Sequence, residues 1–199
     1  MEIQRENLTI IKRFITLQLG LLLVIGCFIL LRLHFFKTGG FNGFFVDLNI
    51  YYKYSLEIIQ GKFPYRDFFI EYPPFALLPL VLPQFLQIGQ HSLLKYVVLF
   101  IIENILFSTL IMFFISYIVW RWQPQRSLVL AEKLYILLTA ICGLFMMGRY
   151  DIFPALLTLL TPLFILLDYP IIAGIALGCA IAAKLYPVVT STRLFSNFT

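Results

Sequence analysis

Long apolar runs separated by short polar turns make up most of this chain, and one stretch departs from that pattern. Phe14–Leu31 carries no charge and has about the length that crosses the hydrocarbon core of a bilayer. With its flanks it predicts a first span over 14–33, entered from a leader holding Arg5, Lys12 and Arg13. The later apolar runs predict spans over about 96–120, 127–147, 152–167 and 171–186. The turns between these later runs are short: Arg121–Arg126, Gly148–Asp151 and Asp168–Pro170.

The exception is Val46–Pro74, within a polar and aromatic loop over 34–95. It holds Asp47, Lys53, Glu57, Lys62, Arg66, Asp67 and Glu71, seven of the 25 charged residues (15 basic, 10 acidic), so charge is concentrated where the apolar runs stop. Leu48, Tyr51, Tyr52, Leu56 and Ile59 recur at helical spacing among those charges. They predict an amphipathic helix over about 46–60, lying in the membrane interface and ended by Gly61. Pro64 and Pro73-Pro74 keep the following stretch extended. Phe75–Ile88 is apolar but contains Pro79 and Pro83. Its 14 or so residues reach only about 21 Å, short of the roughly 30 Å core. It predicts a second interfacial helix, over about 74–88, rather than a span.

Composition agrees with a membrane protein. Of the 199 residues 61% are hydrophobic and 13% charged, against about 45–50% and about 25% in soluble domains. The fold class expected is an all-α integral membrane protein: a single transmembrane domain over 1–199, with about five spans and a large external loop. Cys27, Cys142 and Cys179 all sit in apolar runs and give no disulfide framework. Val24-Ile25-Gly26-Cys27 is similar to a lipobox, but Phe28–Leu31 continues the apolar run past the cysteine. The run also lacks the small-residue end of a cleaved signal peptide. The net charge of +5 is scattered between the runs, which suits orientation in a membrane and excludes a nucleic-acid partner.

Basic residues near short loops mark the cytoplasmic side. The leader and the turn around Arg121, Arg126 and Lys133 are both basic, and share that side only if two crossings separate them. Spans over 14–33 and 96–120 are those two, so the proline-rich segment does not cross. Asp47, Glu71, Arg149, Asp151 and Lys184 then share the external face. Asp47 reads either as a charge favoured by the helix dipole or as a general base. Arg149 and Asp151 read as a neutralising pair or as groups facing the same cavity as Asp47. Lys184 reads as a snorkelling helix-end lysine or as a point charge for a phosphate. Arg66 with Asp67 reads as a local ion pair or as part of the substrate face. Glu71 precedes the stiff Tyr72-Pro73-Pro74. Glu103 and Asn104 lie inside a span, where a carboxylate is costly, and a transport pathway would use them. Glu132 and Lys133, near the start of theirs, are expected to reach water.

The blocks Asp47-Leu48-x-x-Tyr51, Gly61-x-x-Pro64-Tyr65-Arg66-Asp67-Phe68 and Glu71-Tyr72-Pro73-Pro74 resemble the first external loop of GT-C glycosyltransferases. The likeness is greatest to glycosyltransferase family 87, the polyprenol-phosphate-mannose-dependent type. Gly148-Arg149-Tyr150-Asp151-Ile152-Phe153-Pro154 and Ala183-Lys184-Leu185-Tyr186-Pro187 resemble its second loop and the end of its fifth span. The resemblance implies Asp47 as the catalytic base. It implies Glu71, Arg66, Tyr72, Arg149, Asp151 and Lys184 on the substrate-binding face, with Lys184 at the phosphate of the lipid donor.

The partners it implies are a polyprenyl-phosphate sugar donor, a lipid or glycan acceptor, and membrane lipids, at the external face of the plasma membrane. The resemblance fixes no cofactor. Asp47, Glu71 and Asp151 are of the type that binds Mg or Mn, so a divalent metal stays open. Family members are about twice this length, so the resemblance also implies an N-terminal part of the module. A partner subunit supplying further helices, or a non-enzymatic, lipid-binding scaffold, are the readings that follow from that.

Overall fold

The computed structural model describes residues 43–122 and 125–187, with a few helical positions between 19 and 30. The expected first span over 14–33 therefore lies largely outside the described residues. Among the described residues the protein is all helical, with one isolated bridge between Pro64 and Phe68. The elements are α1 (Gly43–Ile59), a 3-10 turn (Pro74–Ala76), α2 (Leu77–Phe85), α3 (Leu93–Trp122), α4 (Gln125–Gly148), α5 (Ile152–Leu166) and α6 (Pro170–Ala183). The chain forms two compact units, Met1–Asn42 with Thr109–Phe145, and Gly43–Ser108 with Met146–Thr199.

The helix ends follow from local chemistry. Gly61 takes a positive φ of 86° after α1. The Lys62 amide donates to Glu57 O at 3.1 Å and the Gly61 amide to Ile58 O at 3.0 Å. These two bonds satisfy carbonyls that the ended helix leaves orphaned. The end of α5 repeats the device with Asp168 at φ 62°. There the Tyr169 amide donates to Phe164 O at 2.8 Å and the Asp168 amide to Ile165 O at 3.1 Å. Pro170, at the first position of α6, then fixes the next helix start. Ser92 opens α3: its Oγ accepts from the Lys95 amide at 3.3 Å.

Among the described residues, α3 is the one helix long and apolar enough to cross a membrane. Its 30 residues extend about 45 Å. Leu94, Val98, Ile102, Leu106 and Leu110 are exposed at four-residue steps along one side. Tyr96, Phe100, Glu103, Asn104 and Ser108 are buried on the other. That outward apolar stripe suits hydrocarbon rather than water. The expected spans over 152–167 and 171–186 are helices, α5 and α6, of 15 and 14 residues. Each reaches about 21–23 Å, against the roughly 30 Å of a bilayer core. The proline-rich segment is the 3-10 turn followed by α2, nine residues long with Pro83 inside.

In the unit Gly43–Ser108 with Met146–Thr199, α1 packs on α2, and α5 packs along α6. Small residues of α6, Ala173, Ala176, Ala180 and Ala183, are buried, which lets helix backbones approach closely. Leu48 and Tyr51 of α1, Ala76, Leu80 of α2, Tyr96, Val97 and Phe100 of α3, and Tyr150 form one core. Tyr96 crosses it to donate to Leu80 O at 2.7 Å, tying α2 to α3. In the other unit Glu132 corrects the sequence expectation. It is buried, and its Oε1 accepts from Ser116 Oγ at 3.2 Å instead of reaching water.

Candidate active site

Every candidate site residue lies in the unit Gly43–Ser108 with Met146–Thr199. Two features of the chain bring four of them together. First, α5 and α6 are joined by the tight turn at Asp168, so they fold into a hairpin and the start of α5 meets the end of α6. Asp151, immediately before α5, therefore pairs with Lys184, immediately after α6. Second, the turn between α4 and α5 is short and its middle residue, Tyr150, is buried among aromatic rings. Its two neighbours are left at the surface, facing different partners. Arg149 pairs with Asp47 of α1, Nε to Oδ2 at 3.2 Å, and Asp151 takes Lys184. The Arg149 carbonyl accepts from Asn104 Nδ2 at 3.3 Å, which fastens the turn to α3.

These positions separate the competing readings of single residues. Helix α1 begins at Gly43, so Asp47 sits in its second turn, past the place where the helix dipole favours a carboxylate most. Asp151 is at the N-cap of α5 but makes no side-chain cap bond; its carboxylate goes to Lys184. Arg149 and Asp151 each pair with a residue distant in the chain. The four side chains keep 54% (Arg149), 31% (Asp47), 38% (Lys184) and 41% (Asp151) of their surface exposed, so a substrate can reach all of them.

Beneath the charges lies a bed of tyrosines. Tyr51 is one helical turn from Asp47, on the same side of α1. Its ring meets Tyr72 edge-on at 5.5 Å and Tyr150 edge-on at 6.0 Å. Tyr72 and Tyr150 meet edge-on at 5.3 Å. Lys184 Nζ stands 5.6 Å over the Tyr150 ring, a distance at which the ring face attracts a cation. Burial, then Tyr72, then the Asp47 and Asp151 carboxylates hold the Tyr51 phenol well above its ordinary range. Burial and then Asp151 push Tyr150 the same way. Both phenols are therefore neutral hydrogen-bond donors at physiological pH. Tyr51 and Tyr150 escaped the sequence reading as site residues, and Asn104 entered it only as part of a transport pathway. For Tyr51 the signal was its four-residue spacing from Asp47.

Not every candidate joins the cluster. Arg66 is exposed and bonds its neighbour Asp67 in a fork, Nε to Oδ1 at 2.8 Å and Nη2 to Oδ2 at 3.0 Å. Its guanidinium also covers the Phe63 ring at 4.3 Å. Glu71 is exposed, and its charge is felt by Tyr54 and Tyr72. Tyr72 is half-buried, and its carbonyl accepts from Tyr65 Oη at 2.6 Å. Among the described residues no group of three or more acidic, histidine or cysteine side chains is placed to hold a metal, so Asp47, Glu71 and Asp151 do not assemble as one. Asn104 and Glu103, adjacent in sequence, have separate roles. Asn104 holds the Arg149 turn, whereas both Glu103 carboxylate oxygens are buried without a hydrogen-bond partner among the described residues.

The Arg66–Asp67 turn has a pH signature. The Arg66 side chain, then the Phe63 amide, hold the Asp67 carboxyl below its ordinary value of 3.8. A depressed carboxyl contributes stability above its unfolded pKa and loses it as pH falls through the folded one. We predict that hydrogen-exchange protection of the Phe63 amide, which donates to Asp67 Oδ2 at 2.8 Å, persists down to pH 3.8 and fades only below it. Asp67→Asn is expected to weaken it wherever the Asp67 carboxylate is charged. Loss beginning above 3.8 in the unaltered protein would show that another group holds the turn.

A helical, membrane-associated site of this kind, with an accessible carboxylate beside paired cations over an aromatic bed, suits proton transfer to or from a polar substrate that carries negative charge. The model of glycosyltransferase family 87 matches residues 69–195. The chain belongs to glycosyltransferase family 87, a membrane-associated family, and as a glycosyltransferase it uses a sugar donor and an acceptor. Glu71, Tyr72, Arg149, Asp151 and Lys184 fall inside the matched stretch, and Asp47 and Arg66 precede it. No curated protein and no solved structure matches the chain.

Proposed function

We propose that this protein moves a hexose, mannose-like, from a polyprenyl-phosphate donor to a lipid or glycan acceptor on the external face of the plasma membrane. The observation that carries the reading is the pairing of Asp47 with Arg149 and of Asp151 with Lys184, partly exposed side chains held on either side of the buried Tyr150. Asp47 takes the proton from the acceptor hydroxyl. The acceptor oxygen forms a bond to the anomeric carbon as the bond from that carbon to the phosphate oxygen breaks. The electron pair leaves with the lipid phosphate, and the anomeric centre inverts. Arg149 and Lys184 face the phosphate, whose charge grows as it departs, so their attraction is greater in the transition state than for the bound donor. Asp151, Glu71, Arg66 and Tyr72 supply hydrogen bonds to sugar or acceptor.

In the topology that goes with this reading, spans over about 14–33, 96–120, 127–147, 152–167 and 171–186 surround an external loop over 34–95, with α1 and α2 at the interface. The outward stripe of α3 and the shortness of α2 support it. Membranes containing the protein, given a radiolabelled polyprenyl-phosphate hexose and an acceptor, are expected to yield labelled product and free polyprenyl phosphate. Failure to consume the donor under any acceptor would sink the reading. Sidedness is tested with single cysteines at 47, 123 and 151, in a background lacking Cys27, Cys142 and Cys179. An impermeant thiol reagent on intact cells is expected to label 47 and 151 but not 123. Labelling of 47 and 123 without 151 would mean that the proline-rich segment crosses.

A further inference from the structure

Arg149 and Lys184, the two cations that face the donor phosphate in the reading above, are each held by a carboxylate of the protein itself. Arg149 Nε lies 3.2 Å from Asp47 Oδ2, and Lys184 Nζ contacts Asp151 Oδ1. The two pairs share one turn, with only Tyr150 between Arg149 and Asp151. All four side chains are partly exposed, and pairs of that kind contribute little free energy each. A phosphate offers the same cations charged oxygens with similar hydrogen-bond geometry. It can therefore replace a carboxylate at small cost.

We propose that Asp47 and Asp151 are internal stand-ins for the donor's phosphate, and that donor binding exchanges both ion pairs. The inference rests on the lipid-phosphate donor of the preceding section. When the phosphate takes Arg149 and Lys184, the Asp47 oxygen that faced the guanidinium is released to accept the acceptor's proton. Asp151 is released to accept hydrogen bonds from sugar or acceptor hydroxyls. The base becomes available only once the donor is in place, which orders the reaction, donor first and acceptor second. Asp151 thus acts as a competitor that sets donor affinity, and Asp47 is masked until needed. Tyr150 supports the exchange: its buried ring holds the backbone between Arg149 and Asp151 while the charges on either side change partners.

The test measures binding of a polyprenyl monophosphate, the matching polyprenol and inorganic phosphate to the full chain in nanodiscs. For the unaltered protein, the lipid phosphate is expected to bind more tightly than either of the other two. Asp151→Asn removes the competitor and is expected to tighten lipid-phosphate binding by between about 1.4- and fivefold, the range set by an exposed ion pair. Asp47→Asn is expected to tighten it similarly. Asp168→Asn removes the same charge at the far end of the α5–α6 hairpin and is expected to change nothing, which separates pair exchange from a general loss of negative charge. Product inhibition by polyprenyl phosphate is expected to be competitive against the donor and not against the acceptor.

Equal or weaker binding by Asp151→Asn overturns the exchange, because it makes Asp151 a support that positions Lys184. Equal tightening by Asp168→Asn also overturns it. If the unaltered protein binds polyprenol as well as polyprenyl phosphate, the donor reading itself fails and the exchange falls with it. If inorganic phosphate binds as tightly as the lipid, the site takes free phosphate and the lipid donor is excluded.

Discussion

Asp47→Asn is expected to lower the turnover number for hexose transfer by two to four orders of magnitude while leaving the protein folded in the membrane. The magnitude is that of a positioned general base. The amide keeps the size and one acceptor oxygen of the carboxylate but cannot take the acceptor's proton. The structural cost is small. Asp47 sits on an accessible side of α1, and the neighbours that anchor the helix, Leu48 and Tyr51, are buried and untouched. Losing the pair with Arg149, at 3.2 Å and partly exposed, removes about 1 kcal/mol or less. The decisive measurement is turnover in membranes, with thermal unfolding of the purified protein alongside. Retained turnover would remove Asp47 as the base and leave it a partner of Arg149. Lost turnover with a collapsed unfolding temperature would make it structural. The split between turnover and affinity matters too, because a residue that only bound substrate would change KM instead.

Tyr150→Ala is expected to destabilise the protein by about 3–5 kcal/mol, the usual result of deleting a large buried aromatic. That is a large part of the roughly 5–15 kcal/mol by which domains are stable. Tyr150 is only 4% exposed, with edge-on contacts to Tyr72 at 5.3 Å and Tyr51 at 6.0 Å. It also gives Lys184 its ring face. The alanine variant leaves Arg149 and Asp151 chemically intact but takes away the buried ring between them. Transfer is therefore expected to fall although every charged group remains. Tyr150→Phe keeps the ring packing and is expected to stay within about 1.5 kcal/mol, the net worth of a hydrogen bond. Thermal unfolding of both variants in detergent, with limited proteolysis at the α4–α5 turn, checks this. Equal behaviour of the two would show that the ring does not hold the turn.

Much of the local structure was legible in the sequence because it depends on near neighbours. Gly61 ends α1 where the apolar spacing stops, and the prolines before and within α2 keep that segment short. The long apolar run after Lys95 is α3. The family likeness rested on blocks around Asp47 inside α1 and on helix ends and turns around Tyr72, Asp151 and Lys184. Those are places where backbone and chemistry together restrict the residue. Runs over 152–167 and 171–186 are the helices Ile152–Leu166 and Pro170–Ala183, bounded by the turn at Asp168 that the sequence also marks.

What the chain pattern determined by itself is the all-helical class, the concentration of charge outside the apolar runs and the short list of residues able to do chemistry. Each of those is set by composition and spacing within one segment. Which charge meets which was decided only by the tertiary structure. Lys184 reaches Asp151, 33 residues away in the chain, because the hairpin turn at Asp168 returns α6 along α5. Arg149 reaches Asp47 because Tyr150 is drawn into a core shared by α1, α2 and α3. By the same logic Arg66 stays with its neighbour Asp67, and Glu132 turns inward to Ser116. Charges of either sign look alike along a sequence. Partners are chosen by packing, since the buried apolar and aromatic side chains, which carry most of the folding free energy, fix where the few polar groups come to rest.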